Sequence, residues 1–119
     1  MYKIKEVSAL TGLTAHTLRY YEKEGILPPI SRDEAGRRIY TQENIVWLDI
    51  VTCLKQTKMP VSEIKKIVKL SIEGDSTIPE RKDILLNHRK VMEEQLEEIK
   101  AGIKKIDKKI AFYDGNDMC

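Results

Sequence analysis

The chain has 119 residues and a formal net charge of +2, and 41% of its residues are hydrophobic. This length accommodates one compact domain with an appended element, but not two ordinary domains. The sequence has no run of roughly 18 apolar residues, which excludes a membrane-spanning helix, and its first residues lack the pattern of a signal peptide. We therefore expect a cytoplasmic protein with no membrane partner.

The excess of positive charge lies in the first half of the chain. Residues 1–60 hold nine Lys or Arg against seven Asp or Glu, whereas residues 61–119 hold twelve of each. An excess of nine over seven is modest, so the prediction of a nucleic-acid partner rests on where the arginines fall and not on total charge.

Two short helices are predicted near the N-terminus. Apolar residues at helical spacing between Ile4 and Leu10 indicate the first helix, and a turn containing Gly12 follows it. The second helix begins after Thr14, whose hydroxyl suits an N-cap, and ends at Gly25, a residue type that favours helix termination. Two such helices joined by a tight turn form a helix-turn-helix unit, whose second helix enters the major groove of DNA.

The second helix has a predicted core face and a predicted DNA face. Leu18 and Tyr21 are spaced to face the core, which leaves the other positions directed outward. Residues in the first turn of such a helix reach base edges, whereas the long side chains of Arg and Tyr suit phosphate contacts. The predicted DNA-contacting residues of this helix are Thr14, Ala15, His16, Thr17, Arg19 and Tyr20.

A two-stranded wing is predicted after the helix-turn-helix unit. Residues 33–36 have the composition of a turn and lie between the short segments 30–32 and 38–40. The wing residues predicted to contact the flanking DNA backbone are Arg37, Arg38 and Tyr40. Lys23 and Arg32 could contact DNA in the same way, but for these two residues a solvated surface charge is an equally good interpretation.

A third helix is predicted from the Thr41 cap to about Thr57, and a fourth from about Val61 to Ile72. Cys53 lies in the third helix, and a lone cysteine among apolar residues is typically a buried small hydrophobe. Its place near the helix C-terminus disfavours a thiolate, so reactivity would need help from Lys55, Lys58 or a partner chain.

A long final helix is predicted to begin at residues 77–80, which have the sequence of a capping box. Its apolar residues are separated by 7, 4, 3, 4, 3, 4 and 3 positions, the spacing of a coiled-coil seam on the order of 40 Å long. A helix folded back at Gly102 is the alternative, but the spacing continues through that residue without a shift. We expect a second copy of the chain as partner. The predicted seam consists of Leu85, Met92, Leu96, Ile99, Ile103, Ile106, Ile110 and Tyr113.

These elements predict a mainly all-α fold: a winged helix-turn-helix DNA-binding domain with a long C-terminal dimerisation helix. We place the DNA-binding domain at residues 1–74 and the dimerisation helix with a short tail at residues 75–119. The predicted partners are double-stranded DNA and a second copy of the chain.

The chain resembles the MerR family of bacterial transcription regulators. The resemblance rests on the segments Leu18-Arg19-Tyr20-Tyr21-Glu22, Gly25-Ile26-Leu27-Pro28 and Arg37-Arg38-Ile39-Tyr40. It implies a homodimer formed through an antiparallel coiled coil and bound to a pseudo-palindromic, over-long promoter spacer. It also implies that the activated dimer bends and untwists the DNA so that RNA polymerase engages both promoter elements.

Within that family the chain is most similar to the aldehyde- and thiol-stress branch, the NmlR/AdhR-like regulators, which have a short C-terminus and one cysteine in the third helix. This resemblance implies that Cys53 is a sensor for electrophiles. Cys119, the other cysteine, is interpreted as an incidental thiol, and we expect no structural disulfide.

The sequence disfavours three other functions. A metal-responsive regulator is disfavoured because two distant cysteines and two histidines do not form a cluster with metal-ligand spacing, so we expect no metal and no cofactor. An enzyme is disfavoured because no catalytic motif is visible. A coiled-coil adaptor that does not bind DNA would leave Arg19, Tyr20 and the basic wing without a role.

Overall fold

The computed structural model of the chain describes residues 1–115 and is mainly helical, as predicted. Cys119, interpreted above as an incidental thiol, lies outside the described residues. Within them, no helix has both the length and the apolar character needed to cross a bilayer. The elements in chain order are β1 (Tyr2–Lys3), α1 (Ile4–Thr11), α2 (Ala15–Lys23), β2 (Ser31–Arg32), β3 (Arg38–Tyr40), α3 (Gln42–Gln56), α4 (Val61–Glu73) and α5 (Ile78–Tyr113).

The predicted helix-turn-helix unit is confirmed by α1 and α2. Gly12 ends α1 at φ +76°, a left-handed conformation that glycine adopts without steric cost, and its amide donates to the Ser8 carbonyl. Gly25 has the same conformation, with φ +75°, just after α2. Each helix therefore ends where its glycine permits the chain to reverse.

The wing has three strands, one more than predicted. β3 pairs with β2 in the predicted hairpin, and it also pairs antiparallel with β1 on its other edge, with Tyr2 opposite Tyr40. The prediction missed β1 because a two-residue strand carries no periodicity, and its partner lies far along the chain. The N-terminus is thereby attached to the wing.

The core of the N-terminal part is built from one face of each helix. Leu18 and Tyr21 of α2 are buried, as predicted from their spacing. The Thr41 hydroxyl accepts from the Asn44 amide at 3.1 Å and the Asn44 side chain accepts from the Thr41 amide at 2.9 Å, a capping box that starts α3. Other fully buried members of the core are Val7, Ile26, Leu27, Tyr40, Leu48, Val51 and Ile64.

The capping box predicted at Thr77 is wrong. Residues Asp75–Thr77 form a short 3₁₀ turn that leads directly into α5. The Thr77 hydroxyl lies 2.7 Å from the carbonyl oxygens of Leu70 and Gly74 and accepts from Arg81 Nε at 3.0 Å. Its proton is therefore donated to the preceding segment, and the hydrogen bond that it accepts comes from the Arg81 side chain and not from a first-turn amide of α5.

The chain divides into two compact units, Met1–Ile84 and Leu85–Cys119. The predicted domain boundary was at residues 74 and 75, whereas this division falls inside α5. The first turns of α5 belong to the N-terminal unit because Ile84 packs against its core.

Leu18→Ala should lower the free energy of unfolding by about 2–5 kcal/mol, because Leu18 is 0% exposed and its loss leaves a cavity. Leu10→Ala is the matched control: Leu10 is 62% exposed, so the change should stay within about 0.5 kcal/mol. Urea unfolding of both variants at one protein concentration makes the comparison. Equal losses would contradict the core described here.

Candidate nucleic-acid interface

The start of α2 is fixed by Thr14. Its hydroxyl oxygen accepts from the Thr17 amide at 3.1 Å and donates to the Thr17 hydroxyl at 2.9 Å. This N-cap satisfies an amide that has no partner within the helix. The first turn of α2 therefore has a defined direction, and Ala15, His16 and Thr17 are arranged on it.

The two faces of α2 differ as the sequence predicts. Leu18 and Tyr21 are buried, while His16, Arg19 and Tyr20 are exposed. The Tyr20 ring lies 6.5 Å from the Tyr21 ring, measured between centroids, in a tilted arrangement. Burial of the core face thus holds a histidine, an arginine and a tyrosine in solvent on one short helix.

The wing turn is organised by Asp33. Its Oδ1 accepts from the amides of Ala35 at 3.0 Å and Arg37 at 2.9 Å, and its Oδ2 accepts from Arg37 Nε at 3.2 Å. The hydrogen bond from the Arg37 amide is the main cause that lowers the pKa of Asp33 below its usual value. Gly36, at φ +80°, completes the turn.

A second carboxylate joins the wing to α2. Glu22 Oε1 accepts from Arg38 Nε at 2.7 Å, and Glu22 Oε2 accepts from the Ile30 amide at 2.9 Å. Burial by itself raises the pKa of Glu22, but these hydrogen bonds and two nearby arginine charges outweigh burial and hold the pKa below its usual value. Glu22 is therefore ionised near neutral pH.

A cationic cleft opens between the N-terminal segment, α2 and the wing. Its volume is about 420 Å³. Six positive side chains around one concave surface raise the local potential and attract phosphate groups. The cationic residues that line the cleft are Lys3, Lys5, Arg19, Arg32, Arg37 and Arg38.

The cleft contains three of the predicted DNA-contacting residues, Arg19, Arg37 and Arg38. Arg32, for which a solvated charge was an equal alternative, also lines it, and its Nη1 donates to the Gly36 carbonyl at 2.9 Å. Tyr20 and the four residues from Thr14 to Thr17 do not line it. The base-reading and phosphate-binding candidates thus occupy separate parts of one unit.

Tyr40 does not have the exposure that we predicted for a wing residue contacting DNA. Its side chain is 0% exposed, and its hydroxyl has no hydrogen-bond partner among the described residues. Burial also raises the pKa of its phenol. Strand alternation explains the difference, because Ile39 and Tyr40 point to opposite faces of β3 and Tyr40 takes the core face.

The sequence patterns did not identify Lys3 and Lys5 as candidate DNA-binding residues. They alternate with Tyr2 and Ile4, both of which pack against the core. That alternation was the available signal, but it covers too few residues to stand out from a helical pattern. The pairing of β1 with β3 places Lys3 beside the wing, and Lys5 lies in α1, which begins directly after β1.

Cys53 is exposed on α3, contrary to the interpretation of a buried small hydrophobe. The buried positions of this helix are Leu48, Val51 and Leu54, and Cys53 falls outside that face. Lys55, one proposed helper of a thiolate, places its ammonium group 5.0 Å from the centroid of the Tyr21 ring. In the described part of the chain, no group of three His, Cys, Asp or Glu side chains is arranged to hold a metal ion.

A capped helix with an exposed polar face, a wing and a cationic cleft between them define a winged helix-turn-helix DNA-binding protein. The chain belongs to the MerR family: the family described as "MerR HTH family regulatory protein" matches residues 2–70. It is accordingly a DNA-binding transcriptional regulator and not an enzyme.

Individual relatives place the chain in the NmlR/AdhR-like branch of that family. An uncharacterised HTH-type transcriptional regulator of Haemophilus influenzae is 38% identical over 112 residues, which cover 94% of this chain and 83% of the relative. The HTH-type transcriptional regulator AdhR of Bacillus subtilis is 39% identical over 86 residues, which cover 72% of this chain and 61% of AdhR.

A similar crystal structure is that of HiNmlR, described as a MerR family regulator lacking the sensor domain and bound to promoter DNA. It superposes with a TM-score of 0.86 at 38% sequence identity, covering 96% of this chain and 90% of HiNmlR. The fold described above is therefore one in which a similar protein binds a promoter.

Proposed function

We propose that this regulator binds a pseudo-palindromic promoter spacer as a homodimer and activates transcription by bending and untwisting the DNA. The observation that carries the proposal is the cationic cleft beside the exposed face of α2. The relation to HiNmlR, which was crystallised on promoter DNA, supports it. The untwisted DNA would allow RNA polymerase, the further partner at this promoter, to engage both promoter elements.

The two parts of the interface have different tasks in this proposal. Ala15, His16 and Thr17 read base edges from the first turn of α2, where side chains enter the major groove. Arg19, with the other cations of the cleft, binds phosphates and sets the register of the protein on the duplex. Tyr20, exposed on the same helix, contacts the backbone nearby.

Lys5→Gln should weaken binding to an operator and to an unrelated duplex by the same factor, because a phosphate contact carries no sequence information. The slope of log K against log salt should fall in magnitude by about 1 per protomer. Fluorescence anisotropy over a salt series measures both quantities.

The matched control is Lys66→Gln. Lys66 is also an exposed helical lysine, but it lies on α4, pairs with Glu80 at 3.8 Å and does not line the cleft. Its substitution should leave the salt slope unchanged. If both lysines, or neither, changed the slope, the cleft would lose its role as the phosphate-binding surface.

The homodimer is supported by the exposed seam of α5. Seven of the eight predicted seam residues are 38–75% exposed, and Met92 is half-buried. An apolar stripe of this length on a 36-residue helix needs a partner helix, and a second copy supplies an identical stripe. An antiparallel pairing follows from the resemblance to the family.

Ile103→Lys should convert the dimer to monomers, because it places a charge in the middle of the apolar seam. Operator affinity should fall by about 10²–10⁴, the loss expected when two half-sites are no longer bound together. Ala101→Lys is the control: it adds the same charge to an exposed position of α5 outside the seam. Sedimentation of Ile103→Lys as an unchanged dimer would refute the seam.

We also propose that Cys53 senses electrophiles such as α,β-unsaturated aldehydes. The Cys53 sulfur, as thiolate after loss of its proton to water, forms a bond to the β-carbon, and the displaced π electrons take a proton from water. The exposure of Cys53 favours this proposal, since a buried thiol would not meet the electrophile. The modification shifts an existing equilibrium toward the DNA-untwisting form.

Treatment with an α,β-unsaturated aldehyde should add an adduct at Cys53 of the Cys119→Ser variant, as read by intact mass and peptide mapping, and none at a cysteine of the Cys53→Ser/Cys119→Ser double variant. Aldehyde-induced transcription in vitro should survive Cys119→Ser and be lost in Cys53→Ser. These two residues are the only cysteines of the chain, so each variant controls for the other. Full induction of Cys53→Ser would exclude the sensor role.

A further inference from the structure

We infer that Glu22 is a positioning residue for DNA binding, which holds Arg38 so that the outer edge of its guanidinium group faces a DNA phosphate. The inference rests on the proposed phosphate-binding role of the cationic cleft. It concerns a residue that touches no DNA itself and acts through Arg38.

The Glu22 carboxylate connects three segments with two oxygen atoms. Glu22 lies in the last turn of α2, and its Oε1 accepts from Arg38 Nε on β3. Its Oε2 accepts from the amide of Ile30, the residue directly before β2. One side chain thus attaches both strands of the wing hairpin to the helix that reads DNA.

The wing needs such an attachment because its own pairing is short. β2 has two residues and β3 has three, so few ladder hydrogen bonds hold the hairpin. The Glu22 and Arg38 side chains are 16% and 22% exposed, so their charge-assisted hydrogen bond is better shielded from solvent than a surface pair. The other ion pair of the wing, Asp33 with Arg37, lies within the turn and does not reach α2.

The hydrogen bond to Glu22 leaves the two Nη atoms of Arg38 available for a phosphate. A guanidinium group has five N–H bonds, and Glu22 uses only the one on Nε. No other described residue accepts from the Nη atoms of Arg38, which lines the cleft. The side chain is therefore held at its inner edge while the fork that suits a phosphate stays unoccupied.

Because Glu22 is negatively charged, the direction of the change in DNA affinity on its replacement tests the inference. A carboxylate beside a phosphate-binding cleft repels DNA, so on charge alone its removal should tighten binding. If Glu22 positions Arg38, its removal should weaken binding. The two interpretations predict opposite changes for the same variant.

The experiment compares Glu22→Gln with Glu22→Asp in the full chain. Gln removes the charge at nearly the same length, and Asp keeps the charge but is one methylene too short to reach both partners. Both variants should bind operator about tenfold more weakly, with a salt slope smaller by up to about 1 per protomer. Anisotropy titrations over a salt series provide these values, and the slope is insensitive to a partly unfolded fraction.

Glu24→Gln is the matched control. Glu24 follows α2 directly, is paired with Lys65 at 3.3 Å and does not line the cleft, so its removal should leave operator affinity unchanged or slightly tighter. Arg38→Ala should weaken binding like Glu22→Gln, and the double variant should be no weaker than Arg38→Ala alone.

Three outcomes would overturn the inference: tighter or unchanged binding by Glu22→Gln, unchanged binding by Glu22→Asp, or additive losses in the double variant. The result for Lys5→Gln separates this failure from that of the cleft itself. If Lys5→Gln lowers the salt slope and Glu22→Gln does not, the cleft binds phosphate and only the positioning role is lost.

Discussion

The burial of one face of α2 is the constraint on which the rest of the interface depends. Leu18 and Tyr21 are held in the core, and a helix with 3.6 residues per turn then has no freedom in where it places their neighbours. Arg19 and Tyr20 are directed outward for this reason. The exposed surface that we propose faces DNA is thus a consequence of packing on the other side of the same helix.

Electrostatics shapes the second part of the interface. The six cations around the cleft repel one another, and the two carboxylates beside them, Glu22 and Asp33, reduce that repulsion. Both carboxylates also accept hydrogen bonds from backbone amides. Each carboxylate thus stabilises local backbone and orients one arginine of the wing. A cleft lined by cations alone would have neither a stabilised wing backbone nor arginines held in one orientation.

The cationic cleft and the family match, and not the apolar stripe of α5, distinguish the regulator from a coiled-coil adaptor. An adaptor could use such a stripe, but it would not need a cationic cleft or an N-terminal part that matches the MerR family over residues 2–70. The stripe supports the proposed homodimer, because its aliphatic residues stay in water unless a second helix covers them. In the proposed homodimer, the two-fold symmetry of the protein would match a pseudo-palindromic operator.

Local patterns in the sequence determined the helices, their caps at Thr14 and Thr41, the turns at Gly12 and Gly25, and the apolar stripe of α5. Each of these features depends on residues within a few positions of one another. Tertiary structure alone decided the pairing of β1 with β3, the arrival of Lys3 and Lys5 at the cleft, the burial of Tyr40, the exposure of Cys53 and the attachment of the wing by Glu22. Each of these joins segments that are distant in the chain or depends on which helix face meets a neighbour, and no local pattern encodes that choice.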